Sequence, residues 1–325
     1  MAILRRRFLQ LAASGAALAA VPPTARAQAY PSRPITIMVF VGPGGAPDII
    51  ARLIGQGLSQ RIGQPVIVEN RPGGGGNLSL QAVARAPADG HTLLLIATPH
   101  AVNVTLYEKA PVSVRSDIAP VASINNDSFV MLVNPSTPIQ TVSEFIAHAK
   151  TNPGKVNLTS SGNGNLTHLS GELFRMMAGL EMVHVPYRNT PAALTALMAG
   201  EVHVIFDALP SALPHVKAGK LRALGVTAPA RVKALPDIPA IAESLPGYAV
   251  TGWLGIGAPK GTPSDIIEKL NKDISAVVSD PEVAARLTSF GSDPFTSSPS
   301  GFGKLIEAET EKWAKVIRFA GLKVE

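Results

Sequence analysis

Hydrophobic residues follow two spacings in turn along most of the chain. Short apolar runs rich in β-branched side chains, such as 35–41, predict buried strands. The segments that follow them, such as 46–62, carry apolar residues three and four positions apart and predict amphipathic helices. Because this strand-helix step recurs, the pattern indicates an α/β fold in which mostly parallel sheets are flanked by helices.

The steps form two series, and the chain returns to the first after completing the second. The first series predicts strands at 35–41, 66–68 and 92–97 with helices at 46–62 and 77–85. The second predicts strands at 129–133, 156–160, 182–186, 202–206 and 221–227 with helices at 142–150, 166–177 and 192–199. A proline-rich connection is followed by a predicted strand at 251–258 and helices at 263–278 and 299–320. We therefore expect two lobes with a ligand cleft between them, lobe 1 from 28–128 plus 249–325 and lobe 2 from 129–248.

The first 27 residues match an export signal. They contain Arg5–Arg7, a run of small and apolar residues, and an Ala25–Ala27 sequence typical of a cleavage site. The arginines also resemble a twin-arginine signal, and the choice between the two export routes stays open. No later apolar stretch is long enough to cross a bilayer, and the absence of cysteine suits an oxidising compartment. We expect the mature chain to lie outside the cytoplasm.

The charge balance argues against a nucleic-acid partner. The formal net charge is +6, but four of the 29 basic residues (Arg5, Arg6, Arg7 and Arg26) and none of the 23 acidic ones lie in the predicted signal. The mature chain therefore carries a net charge of +2. No cluster of Lys and Arg interleaved with aromatic residues follows, so no nucleic-acid surface is expected.

Glycine-rich turns follow several predicted strands. The first, Pro43–Gly45, lacks the Gly-Lys-Ser/Thr of a phosphate loop and the spaced glycines of a dinucleotide site, so no nucleotide cofactor is expected. Backbone N–H groups and the positive end of a helix dipole suit any anion at such a turn, carboxylates included. A simple tight turn is the alternative. Turns at 73–77, 160–165 and 187–190 also follow strands, and all four can converge.

Catalytic and metal-binding patterns are weak. The sequence has no Gly-x-Ser-x-Gly, no His-Glu-x-x-His and no cysteine. His168 and Glu172 form either half of a metal site or a hydrogen bond on a helix surface. His100 either meets a ligand carboxylate or caps a turn. Tyr187 and Trp253 pack in the core or line a cleft. We predict no catalytic residue, no metal site and no cofactor.

The sequence resembles the Bug family of extracytoplasmic solute-binding proteins, the receptors of tripartite tricarboxylate transporters. The resemblance covers the mature chain and is carried in order by YPSRPI, PGGAPDIIAR, QPVIVENRPGGGGN, ADGHTLLL, PGKVNLTSSGNGNLTHLSGELF, VHVPYR, FDALPSALPHVKAGKLRALGVT and GAPKGTP. It implies a type II periplasmic binding protein that closes on a small carboxylate and delivers it to membrane transporter subunits. By position, it implies a ligand site formed by Gly44, Gly45, Asp48, Asn77, Thr98, His100, Ser160, Ser161, Asn163, His168, Tyr187 and Asp207.

Two departures from the family pattern affect the rim of the expected pocket. Pro47 stands where similar proteins often have Thr or Ser, so both a hydroxyl and a backbone N–H are lost there. Arg188 and Asn189 follow Tyr187 where Lys-Gly is usual. The ligand therefore stays open among di- and tricarboxylates, aromatic carboxylates and acidic amino acids, and a monomer is expected.

Two other functions are compatible with the same cleft. A secreted hydrolase is suggested by His168 near Ser160 and Ser161, although the sequence shows no complete set of nucleophile, base and orienting group. A receptor that passes its ligand state to a signalling partner is the second alternative. Turnover assays and partner capture would separate these two from a transport receptor.

Overall fold

The computed structural model describes residues 30–323, so the predicted export signal lies outside the described part of the chain. The strands are β1 Ile35–Val39, β2 Val66–Asn70, β3 Thr92–Ala97, β4 Ile118–Val133, β5 Val156–Ser160, β6 Met182–Pro186, β7 Val204–Ala208, β8 Arg222–Val226, β9 Thr251–Pro259 and β10 Ser292–Pro294. The helices are α1 Ala46–Ile62, α2 Asn77–Ala84, α3 Thr98–Leu106, α4 Val114–Asp117, α5 Val142–Thr151, α6 Leu166–Ala178, α7 Thr190–Ala199, α8 Leu209–Lys217, α9 Ser264–Val278, α10 Pro281–Ser289 and α11 Pro299–Ala320. Single 3₁₀ turns lie at Gly74–Gly76 and Ile241–Glu243.

The strands form two sheets that share the long strand β4. The first sheet has the order β2-β1-β3-β9-β4-β10, and the second has β6-β5-β7-β4-β8. Within β4, Ser128 still pairs with Thr251 of the first sheet, and Phe129 already pairs with Ala208 of the second. The two sheets therefore meet in the middle of one continuous strand.

The predicted α/β class is confirmed. The outer strands β1–β3 and β5–β7 pair parallel, as the strand-helix steps predict. The strands at the junction pair differently: β9 is antiparallel to β3 and β4, and β4 is antiparallel to β7 and β8. Strand-helix alternation does not predict these antiparallel pairs, because β9 reaches the first sheet only after the chain has built the second.

Only the last five residues of β4 match a strand predicted from the apolar pattern. The preceding part contains polar residues, yet Ser123 and Asn125 are completely buried. Ser123 bonds Ser297 across 2.9 Å, and the Asn125 amide donates to Asp127 across 2.8 Å. Pairing inside the protein makes buried polar groups tolerable, so this half of the strand does not look hydrophobic.

Helix α11 contacts the cores of both lobes. Near its beginning, Phe302 and Ile306 pack with Trp253 beside the first sheet. Near its end, Trp313 and Val316 belong to the apolar cluster beside the second sheet. The sequence places this helix in lobe 1, whereas its second half packs against lobe 2. No helix within 30–323 is both long and apolar enough to span a membrane.

Candidate functional site

A cavity of about 970 Å³ lies where the two sheets meet. Its walls come from both lobes, for example Phe40 and Leu254 on one side and Phe129 and Leu213 on the other. Asp127 and Lys217 are the charged residues among those that line it, and the other lining side chains are mostly apolar. This volume and lining are typical of a site for a small organic molecule with a largely apolar body.

Four helices begin at this cavity. The first residues of α1, α3, α6 and α8 all line it: Ala46, Thr98, Leu166 and Leu209. The N-terminus of a helix carries a partial positive charge and unpaired N–H groups. Two of these helices belong to each lobe, so their positive ends face a shared space, an arrangement that favours an anion.

Proline reduces the number of hydrogen-bond donors at three of these helix ends. Pro47, Pro99 and Pro210 occupy the second position of α1, α3 and α8, and all three line the cavity. Proline suits the first turn of a helix but has no N–H. The dipoles therefore remain, while the rings add apolar surface around the anion-favouring ends.

The turn before α1 is held by Asp48. Gly44 has a φ of +83°, in the left-handed region that favours glycine. Its N–H donates to the Asp48 carboxylate across 2.9 Å, and Asn70 and Arg52 donate to the same carboxylate across 2.8 and 3.2 Å. Burial opposes ionisation, but the hydrogen bonds from Arg52, Gly44 and Asn70 hold the pKa of Asp48 below its usual value. Both carboxylate oxygens thus bind the protein itself.

His100 caps helix α3. The sequence suggests a turn after β3, whereas the structure shows that α3 begins directly at Thr98. The Nδ1 atom of His100 accepts the Ala97 N–H across 3.1 Å, and burial lowers the pKa of this fully buried ring to about 4. Of the two roles left open by the sequence, the observed contacts are those of a neutral capping group. Thr98 itself lines the cavity, and its hydroxyl oxygen accepts the backbone N–H of Trp253.

The turn between β5 and α6 is stabilised by its own hydrogen bonds. Asn165 caps α6 by accepting the His168 N–H across 3.1 Å, and the Ser161 N–H donates to Thr167 across 3.0 Å. Asn163 is exposed at the tip. The neighbouring Gly164 lies against Leu106 of α3, so this turn of lobe 2 contacts lobe 1.

Behind this turn, two stacked histidines and an ion pair fill the space. The rings of His168 and His184 lie 3.5 Å apart and are nearly parallel. His168 Nε2 is 3.5 Å from Glu172, which also accepts from Arg175. Burial opposes ionisation of Glu172, but His168 and Arg175 hold its pKa below the usual value. Within 30–323, no group of three or more metal-ligating side chains occurs.

The structure does not assemble a hydrolase site around Ser160. The sequence suggests His168 as its partner, whereas the histidine that contacts it is His184, with Nε2 2.7 Å from Ser160 Oγ. Ser160 is completely buried. Burial and the charge of His168 lower the pKa of His184 to about 4, and no carboxylate in the described residues hydrogen-bonds to its other ring nitrogen. A Ser-His-Asp arrangement needs that third group.

Tyr187, Asp207 and Asn77 are not among the residues that line the cavity. Tyr187 is half-buried, with its hydroxyl 3.4 Å from Glu201. Asp207 is buried and accepts from Ser211, and burial raises its pKa. Asn77 accepts from Asn103 near a second cavity.

Among the predicted residues, Thr98 lines the interlobe cavity directly. Gly45 and Asp207 directly precede the lining residues Ala46 and Ala208. The ligand-contact assignment of the twelve residues stays a prediction. Sequence reasoning missed Asp127, since it lies in a polar stretch that no apolar pattern marks as a strand.

Comparisons with known proteins agree with the sequence motifs. Residues 50–322 match the family described as Tripartite tricarboxylate transporter family receptor. The chain is 39% identical over 318 residues to the UPF0065 protein of the tcbD-tcbE intergenic region of a Pseudomonas sp., covering 96% of this chain and 94% of that protein. Among solved structures, Rpa4515 of R. palustris with adipate is 35% identical with a TM-score of 0.75, covering 90% of this chain and 99% of that one. MatC of Rhodopseudomonas palustris with bound malate is 32% identical with a TM-score of 0.72, covering 89% and 100%.

These comparisons confirm the predicted fold of a two-lobed binding protein and the resemblance found in the sequence. The chain belongs to the family of tripartite tricarboxylate transporter receptors.

Proposed function

We propose that this protein is a periplasmic solute-binding receptor that captures a small carboxylate in the interlobe cavity and delivers it to the membrane subunits of a tripartite tricarboxylate-type transporter. The observation that carries the proposal is the convergence of four helix N-termini, two from each lobe, on one cavity. The partial positive charges of these helix ends, together with Lys217 on the cavity wall, suit a carboxylate. The adipate and malate bound by two relatives have this chemistry.

Capture by closure follows from the way the lobes meet. Gly291 of lobe 1 lies so close to Pro210 of lobe 2 that a Cβ added there would be 2.5 Å from the proline ring, and Gly164 touches Leu106 on another side. A hinge within β4 and the neighbouring connections would open and close these contacts. Closure around a ligand excludes water and strengthens each polar contact by lowering the local dielectric constant.

Thermal unfolding against a panel of carboxylates tests the proposal. The mature protein is first freed of bound ligand by unfolding and refolding. A carboxylate bound by the folded state stabilises it by RT ln(1 + [L]/Kd), about 2.7 kcal/mol at a hundredfold excess over Kd. The matched control is the methyl ester of each stabilising acid, which has lost the charge and should give a much smaller shift. Equal shifts by acid and ester, or no shift for any acid, would reject a carboxylate receptor.

Delivery and location need separate measurements. We expect the carboxylate to enter cells only when receptor and membrane subunits are produced together, and the receptor to be released with the periplasmic fraction. Size-exclusion chromatography of the mature protein is expected to give a monomer with or without ligand. Incubation with the stabilising acid, or with its ester, should return the compound unchanged, because Ser160 is buried and its histidine lacks an orienting carboxylate.

A further inference from the structure

Asp127 is the acidic residue of the cavity wall. It lies on β4 two residues before that strand enters the second sheet, and it is paired with Gly252 of β9 on one side and Ser292 of β10 on the other. Gly252 and Ser292 line the cavity as well. The carboxylate is thus fixed on a rigid strand at the base of the cleft, where both lobes contribute the walls.

Among the described residues, hydrogen-bond donors reach only one oxygen of this carboxylate. Oδ1 accepts the Ser292 hydroxyl and the Asn125 amide, the latter across 2.8 Å. Within 30–323, Oδ2 has no hydrogen-bond donor, and Asp127 has no Lys, Arg or His within salt-bridge distance. This differs from Asp48, whose two oxygens are both satisfied by the surrounding protein.

The space beside Oδ2 is left open by a glycine. A Cβ placed on Gly252 would lie 3.5 Å from Asp127 Oδ2 and 3.4 Å from the ring of Phe129. The missing side chain therefore gives a ligand atom access to the free oxygen between the strand and an aromatic wall. Any other residue at 252 would occupy part of that space.

The charges near Asp127 decide which ligand atom can occupy this space. Asp293 is the neighbouring charge that acts on it; burial raises the pKa of Asp127, and Asp293 adds to this effect. A second ligand carboxylate placed here would add another negative charge in a partly apolar cavity. A hydroxyl or ammonium group would instead supply the missing donor to Oδ2.

We propose that Asp127 is a specificity residue: it selects carboxylates whose apolar body carries a hydrogen-bond donor, hydroxyl or ammonium, at the end that reaches the base of the cleft. A second carboxylate at that end is disfavoured. The ligand carboxylate lies toward the helix N-termini, and the donor end lies against Asp127 and Gly252. This inference rests on the proposed function and narrows its substrate class.

Four six-carbon probes test it, because they share one body and differ only at the far end: hexanoate, its terminal hydroxyl and terminal ammonium derivatives, and adipate. Titration calorimetry near neutral pH gives Kd for each. We expect the hydroxyl or ammonium derivative to bind the wild type at least about tenfold more tightly than adipate and hexanoate. The variant Asp127→Asn should lose that preference and gain affinity for adipate, because an amide can donate to the second carboxylate.

Two further variants separate the role of Asp127 from general effects. Asp293→Asn removes the neighbouring negative charge but keeps the free Oδ2 of Asp127, so adipate should bind somewhat better while the donor-bearing probes remain the tightest of the four. Gly252→Ala keeps Asp127 but fills the space beside Oδ2, so it should weaken the donor-bearing probes most. Thermal midpoints close to the wild type show that each variant folds.

Three results would overturn the inference. The first is that adipate binds the wild type as tightly as the hydroxyl and ammonium probes. The second is that Asp127→Asn binds the four probes in the same order of affinity as the wild type, and the third is that none of the four probes binds. An order that favours adipate and is unchanged in Asp127→Asn would show that Asp127 is protonated and donates to a second carboxylate. The proposed function fails separately, when no acid of the wider panel stabilises the protein.

Discussion

The cap formed by His100 makes the stability of the fold depend on pH. The ring is completely buried, and Nδ1 accepts the Ala97 N–H, so the neutral form fits the site. Burial lowers the pKa of His100 from 6.5 to about 4. Protonation in the folded state would bury a charge and remove the acceptor that the helix N-terminus uses.

The direction and size of the effect follow from linkage. Between the two pKa values, the unfolded chain binds a proton on His100 and the folded chain does not. The stability that neutral His100 gives to the folded state is therefore complete above pH 6.5 and is lost as the pH falls from 6.5 through 4. A shift of this size corresponds to about 3 kcal/mol in full. Between pH 7 and pH 4.5, roughly 2 kcal/mol of it is lost.

Urea unfolding of the wild type and His100→Gln at both pH values measures this term. Glutamine at the third helical position can still accept the Ala97 N–H but does not titrate. Between pH 7 and pH 4.5, the free energy of unfolding of the wild type should fall by about 2 kcal/mol more than that of His100→Gln, whatever the stability of the variant at pH 7. The same comparison with His184→Gln serves as a second reporter, because burial also lowers the pKa of His184 to about 4. Parallel losses in wild type and His100→Gln would refute the buried neutral cap.

Three other substitutions test the packing around the cleft. Asp48→Ala removes the acceptor shared by Gly44, Asn70 and Arg52, of which Asn70 is half-buried and the other two are exposed, so urea unfolding should show a loss of about 1–2 kcal/mol; an unchanged free energy of unfolding would contradict its role in the turn. Gly291→Ala forces a φ of +75° on alanine and pushes a methyl group into Pro210, so calorimetry should show weaker ligand binding, while unchanged affinity would mean that this contact is not part of closure. Trp313→Ala removes a completely buried ring from the apolar cluster beside the second sheet and should lower the free energy of unfolding by about 3–5 kcal/mol. A small loss would show that packing of α11 does not stabilise lobe 2.

The sequence predicts best the elements that have one apolar face. Helices α1 and α11 begin and end where periodicity places them, because each packs one side on a sheet and leaves the other in water. Helix α3 follows β3 without a loop, so its apolar residues merge with those of the strand. Helix α8 contains Pro210 and Pro214, which interrupt the expected pattern.

The candidate site is harder to predict because tertiary structure assembles it. Motif position predicts Asp48 and His100 as ligand contacts, which stays a prediction; the contacts that the structure shows for them are with the protein backbone and neighbouring side chains. The apolar walls of the cavity come from segments that lie far apart in the sequence, such as those of Ile49, Leu213 and Phe290. Nothing local distinguishes these residues from core residues, since burial in a core and exposure to a ligand both require apolar side chains.

Pro47, which stands where similar proteins often have Thr or Ser, also lines the cavity. The first turn of α1 lines the ligand space, and Pro47 removes the N–H at its second position while its ring adds apolar surface. Substitution by serine restores that N–H and adds a hydroxyl, so a ligand carboxylate gains one or two donors within the field of the helix dipole. Because a net hydrogen bond to a charged group contributes about 1.5–3 kcal/mol, affinity for the best carboxylate should rise about tenfold or more in Pro47→Ser.

The same substitution must cost stability in the absence of ligand, and this makes the prediction specific. Proline restricts the unfolded chain, so Pro47→Ser should lower the free energy of unfolding of the empty protein by about 0.4–1 kcal/mol while the stabilisation by ligand increases. The matched control is Pro43→Ser in the preceding turn, whose ring does not line the cavity. It should show a similar small loss without a gain in affinity. Equal affinity changes in both variants would mean that the α1 N-terminus does not bind the carboxylate, and the anion would then have to lie at α3, α6 or α8.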